Sequence, residues 1–218
     1  SIMNGADSLI QSLANAGITT CFANPGTSEM QLVAAIDKQP AMRAILCLYE
    51  GVASGAADGY ARMEDKPALT LLHLGPGFAN ASSNLHNARR AHSAVVNMIG
   101  DHATYHLQYD APLTADIEGF AKPVSAWVGV STSADTLAET GLTAWANSLG
   151  YPGQVASFIA PANHAWDTCD TIAPVPQIPS APIASETEID RAIAALSNDE
   201  PKAIMLGARA LREDALLL

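Results

Sequence analysis

Ala44-Ile45-Leu46-Cys47-Leu48-Tyr49-Glu50-Gly51-Val52-Ala53-Ser54-Gly55-Ala56-Ala57-Asp58-Gly59-Tyr60 is the stretch that decides the fold class. Its first five residues are apolar and read as a short buried strand. The period then changes. Val52, Ala53, Ala56, Ala57 and Tyr60 recur at helical spacing, which predicts a helix running to about Met63. After Lys66-Pro67, the run Ala68-Leu69-Thr70-Leu71-Leu72-His73 is what a strand covered on both faces looks like. Strand, helix and strand in this order build a parallel sheet. Gly51, Gly55 and Gly59 add a second helical stripe, although each costs about 0.8–1 kcal/mol relative to alanine. Such a stripe is tolerable where another helix or a flat ligand packs closely. Glu50 stands at the strand-to-helix junction, either as a helix-start residue or as a buried acid with a task.

The same alternation extends outward. Ala6, Leu9, Ile10, Leu13 and Ala14 form a helical stripe, with Asn4 and Asp7 as its start signal and Gly17 as its stop. Ile18–Ala23 reads as a strand, and Ser28–Lys38 as a helix with Glu29 in its dipole-favoured first turn. Asp58 and Arg62 form an i,i+4 pair. Gly75-Pro76-Gly77 turns the chain into a helix reaching Arg90, and Ser93–Ile99 is a buried strand. Residues 101–123 show no clear period, which marks a functional loop or a missed element. Thr136–Leu149 is helical and Gln154–Ile159 a final strand. The expected fold is α/β, doubly wound, with a mainly parallel sheet and helices on both faces. Four prolines in 171–184 read as a linker. Ser185–Ser197 is a capped amphipathic helix and Ala203–Gly207 a strand, together the start of a second, truncated α/β domain. The expected boundaries are 1–170, 171–184 and 185–218.

Across 218 residues, 22 acidic side chains stand against 11 basic ones, a net charge of −11. That balance disfavours nucleic acid and anionic membranes as partners. No apolar run reaches membrane-spanning length and no leader pattern opens the chain, so a cytoplasmic location is expected. Cys21, Cys47 and Cys169 lack metal-ligand spacing and read as reduced core residues.

Ligands of open α/β sheets bind beyond the carboxyl ends of the strands. That rule gathers Asn24-Pro25-Gly26-Thr27, Glu50, and His73 with Gly75-Pro76-Gly77. Each has a plainer reading alone: a first-turn carboxylate, a structural histidine, a turn. Neither a dinucleotide-binding fingerprint nor a phosphate-cradling loop ending in Lys-Ser/Thr is present. His102 and His106 lack a third ligand, so no metal is expected on this chain. His86, Arg89 and Arg90 read as a solvated or interface helix face.

Together these segments resemble the N-terminal, pyrimidine-binding domain of thiamine-diphosphate-dependent 2-oxo acid decarboxylases and carboligases, with the acetolactate synthase large subunit and benzoylformate decarboxylase nearest. The resemblance covers about residues 4–166. It rests on Gly17-Ile18, Phe22–Glu29, Tyr49-Glu50-Gly51, Ala56–Arg62, Gly75-Pro76-Gly77 with Asn80, Lys122-Pro123 and Pro152-Gly153.

The resemblance implies that Glu50 hydrogen-bonds N1′ of the cofactor's aminopyrimidine and so promotes loss of the thiazolium C2 proton. A carboxylate shielded from water suits that proton sharing. Thr27 matches a substrate-facing hydroxyl and His73 a proton-transfer histidine, as in benzoylformate decarboxylase. Acetolactate synthases match Gly75-Pro76-Gly77 better but carry no histidine at the position of His73, which tilts the reading toward proton transfer. Pro25, Gly26, Gly75, Pro76, Gly77 and Asn80 are the further cofactor-binding candidates. The substrate class implied is a 2-oxo acid, decarboxylated and then protonated or joined to a second carbonyl compound. Mg²⁺ would be held by a region outside this chain, because the Gly-Asp-Gly segment and downstream asparagine pair of the family have only Gly100-Asp101-His102 as a partial match. FAD is not indicated. The site would lie between chains of a homodimer or homotetramer, with the glycine stripe as a subunit contact. The alternatives are a non-catalytic binding or regulatory module, or a nucleotide-binding α/β domain of another class.

Overall fold

The computed structural model describes residues 2–178, 180–211 and 217. It divides into two compact units, Ser1–Pro179 and Ser180–Leu218. The first contains strands β1 (Thr20–Asn24), β2 (Arg43–Leu46), β3 (Ala68–Leu72), β4 (Val95–Asp101), β5 (Trp127–Val130) and β6 (Val155–Pro161). All pair in parallel, in the order β2-β1-β3-β4-β6-β5. Helix α1 (Gly5–Asn15) precedes them, α2 (Met30–Lys38), α3 (Glu50–Glu64), α4 (Leu74–Arg90), α5 (Ile117–Ala121) and α6 (Ala134–Ser148) connect them, and α7 (Ala162–Trp166) follows β6.

Side-chain alternation along the strands splits the core into two layers. Leu69, Leu71, Val96, Met98, Ala156 and Phe158 pack against Leu9 and Leu13 of α1, Leu32 of α2 and Leu142 of α6. Ala68, Leu72, Val95, Ile99, Val155 and Ile159 pack against Ala57 of α3, Phe78 and Leu85 of α4 and Ile117 of α5. One polar rung crosses the second layer. Thr70 Oγ1 donates to Asn97 Oδ1 at 2.7 Å, and Asn97 Nδ2 donates to Ser157 Oγ at 3.0 Å. All three residues are fully buried, so the hydrogen bonds satisfy groups that water cannot reach.

Local signals set the helix ends. Asn4 Oδ1 accepts the Asp7 N–H at 2.8 Å to cap α1, and Gly17 ends that segment at φ +92. Asp58 takes two hydrogen bonds from Arg62, at 2.7 and 2.8 Å, and a third from Ser93 Oγ, which ties α3 to the start of β4.

Several expectations are corrected. The run at 44–48 is not a buried strand: β2 is an edge strand, with Leu46 71% and Leu48 93% exposed. Apolar composition alone does not distinguish an edge from a centre, because neighbours decide that. The helix expected from Ser28 is a 3-10 turn at Thr27–Glu29 followed by α2. The stretch 101–123 contains a 3-10 helix at Thr104–Tyr109 and α5. Strand β5 and helix α7 went unrecognised, one short and broken by Gly129, the other a single turn and a half.

In the second unit, α8 (Glu186–Ser197) begins where Ser185 and Glu188 exchange capping hydrogen bonds at 3.3 and 2.8 Å. Ile189, Ile193 and Leu196 lie on it half exposed. Residues 203–207 form no strand. A strand needs partners for its backbone groups, and no described residue of this unit supplies them.

Candidate functional site

From β1 the chain turns outward to the β2 edge, while from β3 it turns the other way to β4. The crevice between the carboxyl ends of β1 and β3 is therefore a topological switch point, where loops part and leave room for a ligand. Asn24-Pro25-Gly26-Thr27 leaves β1 here and His73 leaves β3. Asn24 Nδ2 donates to the Cys47 carbonyl at 2.8 Å. That bond fastens the loop after β2, which delivers Glu50 as the first residue of α3.

Glu50 is only 7% exposed. Its Oε2 accepts from Asn80 Nδ2 on α4 at 2.9 Å. Oε1 lies over Gly77, where a Cβ would come within 2.9 Å of it and within 3.3 Å of His73 Cβ. Gly77 thus keeps a gap in which Glu50 and His73 sit side by side. Oε1 has no hydrogen-bond partner among the described residues, so one acceptor of a buried carboxylate is available. Asn84 Nδ2 donates to the Gly51 carbonyl at 2.6 Å and Ser54 Oγ donates to the Ala81 carbonyl at 3.1 Å, which locks α3 to α4 beneath the site.

The His73 side chain is 25% exposed, and its Nδ1 lies 2.8 Å from Oε2 of Glu29, whose side chain is wholly buried. Glu29 Oε2 also accepts the Gly26 N–H at 2.6 Å. Burial pushes the Glu29 carboxyl up from its usual range, against the lowering pull of the Gly26 N–H and the His73 ring. Gly26 has a steric task, since a Cβ there would come within 2.2 Å of His73 Cε1. Leu74, the residue after His73, has φ +51, a left-handed conformation that a leucine adopts only where surroundings impose it. By its sequence position Glu29 is a first-turn dipole partner, and the structure gives it a different task. The signal that could have found it is its place on the same strand-end loop as Thr27, three residues past Gly26.

The remaining candidates divide. Thr27, Pro76 and Asn80 are exposed at the crevice side, and Pro25 is half-buried. Gly75 makes room for Ala115, where a Cβ would meet its side chain at 2.5 Å, so its constraint is packing within the chain. The glycine stripe is also reassigned. Gly51 faces the Tyr49 ring and Gly55 faces Asn84, while only Gly59 opens onto free space. Asp101, at the end of β4, accepts the His102 N–H at 2.7 Å, and burial pushes its carboxyl up. Among the described residues no group of three or more His, Cys, Asp or Glu could hold a metal ion. No described helix is long and apolar enough to cross a membrane.

This crevice, with a buried carboxylate at a switch point and glycines cut to fit around it, belongs to a parallel α/β ligand-binding domain. Comparison with known proteins names the class more closely. Residues 3–121 match the family described as thiamine pyrophosphate enzyme, N-terminal TPP binding domain, and the chain belongs to that family. It is 46% identical over 215 residues to a Mycobacterium tuberculosis protein named "Putative acetolactate synthase large subunit IlvX", covering 98% of this chain and 41% of that one. It is 35% identical over 112 residues to benzoylformate decarboxylase of Pseudomonas aeruginosa, covering 51% of this chain and 21% of that enzyme. A solved structure titled "X-ray structure of a putative thiamin diphosphate-dependent enzyme isolated from Mycobacterium smegmatis" superposes with a TM-score of 0.82 at 26% identity, covering 91% of this chain and 38% of that one. The chain thus spans less than half the length of these relatives.

The residues present suit one half of the cofactor. An aminopyrimidine needs a carboxylate oxygen free to pair with it, and Oε1 of the largely buried Glu50 is one. A diphosphate–metal group needs hard oxygen ligands, and among the described residues no group of three or more His, Cys, Asp or Glu could hold a metal ion.

Proposed function

We propose that this chain supplies the pyrimidine side of a thiamine diphosphate site acting on 2-oxo acids, with a second chain or region supplying the diphosphate and Mg²⁺ side. The observation that carries this reading is the buried Glu50 with one unpartnered oxygen, next to His73 at the β1–β3 switch point. When bound, the cofactor would supply a carbon that is nucleophilic once deprotonated and an electron sink for the substrate's carbonyl carbon. Glu50 Oε1 shares the proton at the aminopyrimidine N1′, and Asn80 holds the other oxygen so that the carboxylate keeps its direction. The Thr27 hydroxyl, exposed at the mouth, orients a substrate carboxylate. His73 moves a proton at the substrate carbon through Nε2, because Nδ1 is engaged by Glu29.

The Glu29–His73 pair favours decarboxylation with protonation of the product over carboligation, since it provides a proton carrier at the mouth. Of the stripe, Gly51 and Gly55 pack within the chain and Gly59 stays open to a subunit contact, and the diphosphate and Mg²⁺ side would come from another chain or region. In the protein carrying both halves, Glu50→Gln should lower turnover of 2-oxo acids with added thiamine diphosphate and Mg²⁺ by about 10²–10⁴-fold. Unchanged turnover would sink the assignment. The chain by itself should show little or no binding of thiamine diphosphate by calorimetry, and tight binding would contradict the two-part site.

A further inference from the structure

We infer that Glu29 is a positioning residue that fixes the His73 ring with its proton on Nδ1, so that Nε2 is the nitrogen presented to the crevice. This rests on the reading of His73 as the proton-transfer group, but its geometry stands without it. Two groups converge on one oxygen: the Gly26 N–H at 2.6 Å and His73 Nδ1 at 2.8 Å both reach Glu29 Oε2. A carboxylate oxygen that already accepts a backbone N–H has a lone pair left to accept from the ring as well, which places the imidazole proton on Nδ1. Nε2 has no hydrogen-bond partner among the described residues and belongs to a side chain that is one-quarter exposed.

The carboxylate is held from every side. Its side chain is fully buried, its other oxygen Oε1 has no hydrogen-bond partner among the described residues, and the chain at Gly100 approaches so closely that a Cβ there would overlap that oxygen. A buried acceptor left unpaired costs free energy, and a first-turn residue chosen only for its helix would point to solvent instead. The ring in turn lies flat on Gly26, which has no side chain to displace it, and is launched by the left-handed Leu74. Loop, strand end and helix start thus all converge on one orientation of one imidazole. The same logic orients histidines elsewhere: the hydrogen bond at one ring nitrogen decides what the other can do.

The test is nuclear magnetic resonance of the chain with ¹⁵N-labelled histidine, at a pH where the ring is neutral. In the wild-type chain the His73 Nδ1 resonance should fall in the protonated region and Nε2 in the unprotonated one. In Glu29→Gln the two should exchange places or average, because the amide can donate to Nδ1 and free histidine favours the Nε2–H form. A wild-type ring already in the Nε2–H form, or an unaltered tautomer in Glu29→Gln, overturns the inference. Should Glu29→Gln not fold, Glu29→Asp is measured the same way, since its carboxylate stops one methylene short of the ring. This readout needs neither cofactor nor turnover. Failure of the proposed function would therefore leave the tautomer result standing, and the reverse. In the complete enzyme, Glu29→Gln should lower kcat about 10–100-fold with KM little changed, as for loss of an interaction that matters in the transition state. An equal loss through KM alone would assign Glu29 to substrate binding and overturn the positioning role.

Discussion

The order of strand addition reverses at two places in the parallel sheet, and each has a histidine close to a strand end. At β1–β3 stands His73, partnered by the buried carboxylate Glu29 and open on its other nitrogen. At the far side the chain passes over to β5 and returns to insert β6 between β4 and β5. There His164 Nδ1 hydrogen-bonds Ser131 Oγ at 2.8 Å, and His164 is only 5% exposed. The second crevice is filled by the chain itself. Helix α1 is laid across it, with Gly5 so close to the His164 carbonyl that a Cβ would overlap it. A switch point is thus an opportunity for a ligand, and a site results only where no other element takes the space. A neutral, hydroxyl-bonded, enclosed imidazole is a packing residue, whereas a half-open one on a buried carboxylate has a nitrogen left to use.

Substitution of the two histidines should separate these roles most sharply. His73→Ala in the complete enzyme should lower kcat by about 10²–10⁴-fold while leaving the unfolding midpoint nearly unchanged. His164→Ala should do the reverse, costing about 1–3 kcal/mol in denaturant unfolding by orphaning the Ser131 hydroxyl, with turnover per folded molecule preserved. If both variants lose activity without losing stability, the contrast between open and filled crevices fails.

The two glycines sharpen the same contrast on a smaller scale. Gly5→Ala pushes a methyl into the rigid His164 carbonyl and should destabilise by about 1–3 kcal/mol. Gly26→Ala meets a movable ring, so its effect should be smaller on stability and larger on kcat, measured by thermal unfolding and steady-state kinetics on the same samples.

The smallest effects are in pH dependence, and they have opposite signs. Burial raises the Glu29 pKa above its ordinary 4.5, so its contribution to stability is present in acid and is lost as pH rises through the native value. Burial lowers the His164 pKa below 6.5, outweighing nearby Asp167, so its contribution is present above that value and is lost as pH falls through the native one. At neutral pH, Glu29→Gln should therefore melt above the wild-type chain and His164→Gln below it, with both gaps narrowing on acidification. Parallel melting curves at all pH values would show that neither group titrates with folding.

Much of this arrangement was legible in the residues. The capping box at Asn4 and Asp7, the stop at Gly17 and the alternation of apolar runs are local signals, and they yielded the parallel doubly wound fold. The strand-end rule then collected Thr27, Glu50 and His73, because it needs only strand order along the chain. Glu29 escaped because an exposed first-turn glutamate and a buried one look alike in sequence. Their difference lies in Gly100, some seventy residues away, and in His73, which face it only after β1, β3 and β4 have paired.

What the sequence determined by itself is the longer helices and the central strands, their α/β class and the resemblance that points to thiamine diphosphate. Helical and strand periods, caps and glycine spacing act over a few residues and need no partner. Only tertiary structure decided that β2 lies at the edge, that Gly51 and Gly55 serve the chain's own packing, that 203–207 forms no strand, and that Glu29 stands behind His73. Burial, sheet position and the pairing of charges belong to neighbours distant along the chain, and no local pattern encodes which neighbours those will be.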